Sequence, residues 1–363
     1  MLFDQHFFST FVTGLVKLSL GYQHSMILKE DGSVWSTTAS SPAGLAASSE
    51  IKKRFVQVIS SGAIAVSAGK YFSIVLKQDD SMWGMGRNYN GQLGNGKKGR
   101  TGTFVFMKSF LGPKAVSAGG SHSMVLTEDG KVWAAGSNKH GQLGDTLGYD
   151  STRFHPVITG HAKAVAAGDI HSIVIMKDGS VWAAGRNQNG QLGDGTKVDR
   201  STFVKVIPSG AADVAAGSYH SMVLKQDGSV WVTGSNKHGQ LGDKLIADRA
   251  NYARVVSSRI KAMAAGCGHS LLLKQDGGVW AAGYNLYGQL GDGSTNTRRG
   301  FVQVISTGAK AVVAGAYHSM VIIGPGIILA TGLNQDGQMG DGSTISKKKF
   351  VRLTPFCDGA EHH

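Results

Sequence analysis

Hydrophobic residues along this chain fall into short runs, four to a unit, with glycine-rich or polar turns between them, and the unit recurs seven times. In the fourth unit the runs are Ala164–Ala167, Ser172–Met176, Ser180–Ala184 and Phe203–Ile207. Each has strand length and a small, apolar or β-branched composition, and none is sustained at the 3.6-residue period of a helix. The tip Lys177-Asp178-Gly179 predicts a tight hairpin between the second and third runs, because Asp-Gly readily supplies a turn at positive φ. Its equivalents are Asp31-Gly32, Asp129-Gly130, Asp227-Gly228 and Asp276-Gly277, with Asp79-Asp80 in the second unit.

The units keep a steady period. A leading glycine falls at Gly21, Gly69, Gly119, Gly168, Gly217, Gly266 and Gly315, at intervals of 48 to 50 residues. Four antiparallel strands repeated seven times predict an all-β fold, a seven-bladed β-propeller of four-stranded blades, since radial repetition leaves only short, protected edges. Trp35, Trp83, Trp133, Trp182, Trp231 and Trp280 share one repeat position, where the seventh unit has Leu329, and are expected to pack between blades. The chain (1–363) reads as a single propeller with a tail at 356–363. Eight segments look like outer strands, from Phe7–Phe11 to Phe350–Thr354, so one end is expected to zip the ring shut and the other to be surplus. The first unit is degenerate, with SSPAGLAASS at 40–49 in place of N-x-x-GQLGDG, and blade 1 should be the least regular.

The signature G-x-x-HS…DG-x-VW…G-x-N-x-x-GQLG resembles the repeats of the regulator of chromosome condensation family. GQLG stands at 91–94, 141–144, 190–193, 239–242 and 288–291, and GQMG at 337–340. The resemblance spans roughly residues 7 to 355 and implies the seven-bladed propeller; kelch and WD-repeat signatures are absent. It also implies a choice of roles. The family's founding activity is guanine-nucleotide exchange on the small GTPase Ran together with chromatin binding, through an inserted wedge and a basic N-terminal tail. Similar propellers serve as a plant UV-B photoreceptor with clustered tryptophans, as interaction modules of HECT-type ubiquitin ligases, or as bacterial β-lactamase inhibitors. Intervals of at most 50 residues leave no space for such a wedge, and six residues precede Phe7. All six tryptophans sit at the packing position, which argues against the photoreceptor role.

Composition changes this picture little, except in charge. The chain is 41% hydrophobic and 17% charged, and its 52 glycines are accounted for by turns. Apolar runs are strand-sized, so no helical membrane span is expected. The start, with Asp4 before its apolar part, reads poorly as a signal peptide. Cys267 and Cys357 give neither a disulfide framework nor a metal quartet, and a reducing cytoplasmic or nuclear compartment fits best. The formal net charge of +13 points toward acidic partners.

Repetition argues against chemistry. His24, His122, His171, His220, His269 and His318 recur one per unit, with Phe72 in the second, and each precedes a serine. Adjacent sheets pack about 10 Å apart, too far for two blades to share a zinc ion, so these are expected to be structural. Asp-Gly-Thr and Asp-Gly-Ser turns such as Asp194-Gly195-Thr196 lack calcium-loop spacing and suit Asx turns. No phosphate cradle or nucleophile with its base stands apart from the repeat, so no catalytic residue, cofactor or metal is assigned.

Two sets of deviations remain. Before the fourth strands stand Lys52, Lys53 and Arg54; Lys97, Lys98 and Arg100; Arg153; Lys197 and Arg200; Lys244 and Arg249; Arg298 and Arg299; and Lys347, Lys348 and Lys349. A shared repeat position predicts a basic rim on one face, with nearby acids weakening it in places. Between the first and second strands the loop tips vary, and Tyr22, Tyr71, Tyr219 and Tyr317 are candidate contacts, joined by His140 and His238 in N-K-H-G loops. The sequence thus supports a non-enzymatic, monomeric interaction scaffold that binds a protein, a small GTPase or another acidic surface. The alternative is a Ran-type exchange factor or a binder of chromatin or nucleic acid.

Overall fold

The computed structural model describes residues 17–37, 53–324 and 326–354. These form 28 strands, β1 (Lys17–Leu20) to β28 (Lys347–Arg352), grouped in seven four-stranded antiparallel sheets. Each blade is built from consecutive strands. Blade 4, for example, runs β13 (Ala162–Ala167), β14 (His171–Met176), β15 (Val181–Gly185) and β16 (Arg200–Ile207), from the axis outward. The loops joining first to second and third to fourth strands therefore share one face, called the upper face below. Hairpins joining second to third strands lie on the lower face.

Of the two ends, the C-terminal segment containing Phe350 completes a blade of the ring. Blade 1 takes its outer strand from Phe55–Ile59 and blade 7 from β28, so among the described residues the two ends share no blade. The Phe7–Phe11 segment lies outside the described residues. In the seam between blades 7 and 1, Met320, Ile322 and Ile328 meet Leu18, Leu20, Ile27 and Phe55, with Trp35 against them. Blade 1 does carry short strands, four residues in its inner three.

The repeated columns hold neighbouring blades together. Trp133, Trp231, Trp280 and Leu329 each pack in the seam with the preceding blade, as Trp35 does. In the D-G-S-x-W hairpins Asp178 Oδ1 accepts Ser180 N at 2.8 Å, and Ser180 Oγ accepts Trp182 Nε1 at 3.0 Å. The hairpin glycine has positive φ, 78° at Gly179, and in the second unit Asp80 takes its place at 63°. In blade 6 Gly278 replaces the serine, and Trp280 Nε1 is buried without an acceptor among the described residues. Gly278→Ser should give that donor a partner, raising stability by about 1 kcal/mol in urea unfolding; an unchanged or lower midpoint would refute the account.

The histidines run between blades. Nε2 of His24, His122, His171, His220, His269 and His318 lies 2.8–2.9 Å from Oγ of Ser73, Ser172, Ser221, Ser270, Ser319 and Ser25, each in the next blade. Ser172 Oγ in turn donates to Gln142 O at 2.6 Å, in the GQLG of the preceding blade, and Ser25, Ser221, Ser270 and Ser319 donate likewise to the equivalent glutamines. Each of these five serines, donating there, must accept from its ring, so Nε2 of His122, His171, His220, His269 and His318 carries the proton. The leading glycine makes room for that ring: a Cβ on Gly168 would lie 2.5 Å from His171 Cε1.

Candidate interaction face

The upper face is built from the two loops that vary between units, on a frame that does not vary. In the G-x-N-x-x-GQLGD loop of blade 4, Asn187 Nδ2 donates to Asp194 Oδ1 at 2.9 Å and its Oδ1 accepts Leu192 N at 3.0 Å. Asp194 Oδ1 also accepts Thr196 N at 2.9 Å, an Asx turn. Such cross-links leave only the "x" positions free to differ.

Those positions gather into an aromatic arc. Tyr22 sits between Tyr71 and Tyr317, with ring centroids 5.4 Å from each. The arc continues from Tyr317 to Tyr287 at 5.4 Å and to Tyr284 at 6.1 Å, and from Tyr284 to His238 at 4.9 Å. It therefore crosses blades 2, 1, 7, 6 and 5, every ring half-buried or partly exposed. Cations flank it: the Arg87 guanidinium lies 3.9 Å from the Tyr71 ring centroid, and Lys70 Nζ 5.6 Å from that of Tyr22. Burial pushes the Tyr317 phenol upward, so it stays protonated and able to donate.

A groove of about 670 Å³ opens beside the arc, lined by Arg186, Tyr219, Lys237, His238, Tyr284 and Tyr317 among others. Arg186 Nη2 donates to Gln188 Oε1 at 2.7 Å, while its Nε is buried with no acceptor among the described residues. At the centre, the Lys70–Asp169 ion pair, 3.2 Å, reaches across blade 3 at the upper mouth of the channel. Gly120 lies beneath it, where a Cβ would come 2.0 Å from Asp169 Oδ1.

The predicted contact residues divide. Tyr22, Tyr71 and Tyr317 belong to the arc; Tyr219 lines the groove with Arg186 at 6.0 Å, and His238 stacks on Tyr284. His140 stands apart, its Nδ1 3.0 Å from Asp199. Tyr284, Tyr287, Arg87 and Arg186 were missed by sequence reasoning; their signal is an aromatic or basic residue at the variable "x" positions of G-x-N-x-x-G.

The basic rim lies at the outer edge of this same face, and part of its charge is neutralised. Arg200, Arg249 and Arg298 each place Nε 2.7 Å from Asp194, Asp243 and Asp292 of their own loops, and Lys347 lies 3.8 Å from Asp341. Burial would raise the Asp292 carboxyl, but hydrogen bonds from Ser294 and Arg298 outweigh it and hold the group below the usual carboxylate range. Arg54 and Lys349 bridge through their backbones to Asp341 and Asp292 of the preceding blade. Lys97, Lys98, Arg100, Arg299, Lys348 and Lys349 expose their side chains, and Lys53 is half-buried. Lys52 lies outside the described residues. No helix among the described residues is long and apolar enough to cross a membrane.

Similar proteins agree with this architecture. Residues 103–361 match the RCC1-like domain, and residues 63–92 and 79–126 each match the regulator of chromosome condensation (RCC1) repeat. No curated protein sequence matches the chain. The crystal structure of human WBSCR16 superposes with a TM-score of 0.76 at 22% identity, covering 87% of this chain and 89% of that one. Yeast RCC1 (Prp20) bound to Kap60 gives 0.78 at 20% identity over 96% of this chain and 89% of that one. Prp20p from Saccharomyces cerevisiae, described with its binding to Gsp1p and histones, gives 0.74 at 20% identity over 90% and 84%. At such identities the superpositions speak for the propeller fold alone, whereas the RCC1-like match covers well over half of the sequence. On that match, and on the repeat geometry that underlies it, the chain belongs to the RCC1-like domain family.

Proposed function

We propose that this chain is a non-enzymatic scaffold that holds a protein partner on its upper face. One observation carries the reading: a continuous arc of tyrosines, flanked by arginine and lysine, formed where the repeat is free to vary. Tyrosine and arginine dominate the energetics of protein interfaces, because they give large contact area with polar edges. The exposed rim lysines and arginines, and Arg186 in the groove, favour a partner with acidic side chains. The second reading is an exchange factor or chromatin binder, by analogy with Prp20p, which binds Gsp1p and histones. Intervals of 48–50 residues between units, with no long insertion, weigh against the exchange role.

Release of a fluorescent guanine nucleotide from a loaded Ran-type GTPase separates the two. A scaffold leaves the release rate unchanged at substoichiometric amounts; catalytic acceleration would overturn the scaffold reading. For a partner recovered by pull-down and mass spectrometry, Tyr22→Ala/Tyr284→Ala/Tyr317→Ala should weaken binding by about 30-fold or more, equivalent to about 2 kcal/mol. Circular dichroism should still report a folded propeller. Undiminished binding by the folded variant would remove the arc from the interface.

A further inference from the structure

Three consecutive blades combine their variable positions into one groove. At the x of G-x-N, blade 4 has Arg186, blade 5 Ser235 and blade 6 Tyr284. Just before the histidine of G-x-x-H, blade 6 has Gly268, where blades 5 and 7 have Tyr219 and Tyr317. A small residue beside the arginine and a glycine between tyrosines leave space, and the groove of about 670 Å³ opens there. A Cβ on Gly268 would lie 3.4 Å from Tyr284 Cβ and 3.5 Å from His238 Cδ2. Those are ordinary contact distances, so the position would accept a side chain, and the glycine keeps the groove open. Pockets of about 300–1,000 Å³ enclose ligands of small-molecule size, which for a protein partner means a few side chains and not a folded surface.

The charge of the groove is one-sided. Arg186 and Lys237 line it, and no acid among the described residues does. Asp248, bonded to the lining residue Asn189, has both oxygens engaged, at 2.9 Å from Asn189 Nδ2 and 2.8 Å from Asn236 N. Burial and then Lys237 lower the His238 ring, which is therefore neutral at pH 7 and serves as a wall against Tyr284. Nε and Nη2 of Arg186 form one edge of its guanidinium. Nε is buried with no acceptor among the described residues, and Nη2 has only the neutral amide of Gln188, an exposed residue. Arg200, Arg249 and Arg298 differ, each having its Nε on an aspartate of its own loop. A buried charged donor without an acceptor is costly, and a carboxylate satisfies such an edge with two parallel hydrogen bonds.

We propose that this groove binds a short extended acidic segment of the partner. An aspartate or glutamate carboxylate takes the Nε/Nη2 edge of Arg186, displacing the Gln188 amide, and a neighbouring apolar side chain lies against Tyr219 and Tyr284. The inference rests on the reading of the upper face as protein-binding. A single-stranded nucleic acid would call for open ring faces along a basic track. Here the rings are half-buried or tilted on one another, Tyr284 at 59° to His238 and 61° to Tyr317, and the lining has two cations.

Selection of displayed random dodecapeptides on the immobilised full chain tests this. Enriched peptides should share an acidic residue beside an aromatic or aliphatic one. A fluorescein-labelled synthetic copy, followed by polarisation, should bind Arg186→Gln about tenfold more weakly or worse. Changing its acid to the amide should cost as much, and both changes together little more, as for a direct pair. Gly268→Tyr, copying blades 5 and 7, should abolish binding, and Lys177→Gln in the lower-face hairpin of blade 4 should leave it unchanged. Arg186→Gln decides alone if Gly268→Tyr does not fold. Absence of an acidic motif, or affinity unmoved in either groove variant, would overturn the proposal. So would tighter binding of single-stranded DNA through Arg186, which would assign the groove to nucleic acid. The wider reading fails separately. If a recovered partner stays bound to both groove variants but is lost by the triple tyrosine variant, the groove is wrong and the face stands; if the triple variant also holds it, the face is wrong.

Discussion

Brought from pH 7 to pH 4, the protein should unfold cooperatively, with most of the loss above the range where carboxylates titrate. The cause is the six inter-blade histidines, none more than 2% exposed. Burial holds the rings of His24, His122 and His220 down to about 4. Burial and neighbouring histidines hold His171, His269 and His318 down to about 3. In the unfolded chain each titrates near 6.5. As pH falls below 6.5 the unfolded state takes up protons that the folded state refuses, so the stability present at neutral pH is lost through that window. At pH 5 the loss is about 2 kcal/mol per histidine and roughly ten for the set, comparable to the whole stability of an ordinary domain. Asp213 opposes the trend: burial raises its carboxyl to about 6, so the folded state gains one proton early. Urea unfolding at successive pH values should therefore show a steep slope between pH 6.5 and 4. His122→Phe, copying Phe72 of blade 2, should reduce that slope by about one proton. A propeller still folded in dilute buffer at pH 3.5 would contradict this account.

The same histidines illustrate what the sequence could reveal. Their recurrence, each before a serine, marked them as structural, but the partner of His122 is Ser172, fifty residues on, rather than the adjacent Ser123. Periodicity gives a residue's place in the blade and not the blade it touches. The rim shows the same limit: Arg200, Arg249, Arg298 and Lys347 each follow an aspartate six residues earlier, yet only the folded loop brings the pair together. Blade order, hairpins and tryptophan seams were legible because they repeat. Tyr284, Tyr287 and Arg186 were not, because reading by invariant columns passes over the columns that vary.

Gly242→Val should destabilise the propeller by about 4 kcal/mol, the largest single-residue effect expected here. Gly242 closes the GQLG of blade 5 at a φ of 69°, and a Cβ there would lie 2.2 Å from Cε2 and 2.4 Å from Cδ2 of Phe301, in the outer strand of blade 6. The contact is a repeated joint: Gly94 meets Phe154, Gly144 Phe203, Gly193 Tyr252, Gly291 Phe350, and Gly340 Phe55 across the closing seam. Two costs add at this site. A β-branched residue in the left-handed region is strained by about 1–3 kcal/mol, and a ring displaced from a packed seam costs about 1–3 kcal/mol more. Gly210→Val separates them, since Gly210 has a similar φ of 81° but nothing within 4 Å of its would-be Cβ. Chemical denaturation should place Gly210→Val between the wild type and Gly242→Val, the gap between the variants measuring the collision with Phe301. If the two variants prove equally stable, the glycine serves the turn alone. The invariant column would then reflect backbone conformation and not the docking of one blade on the next.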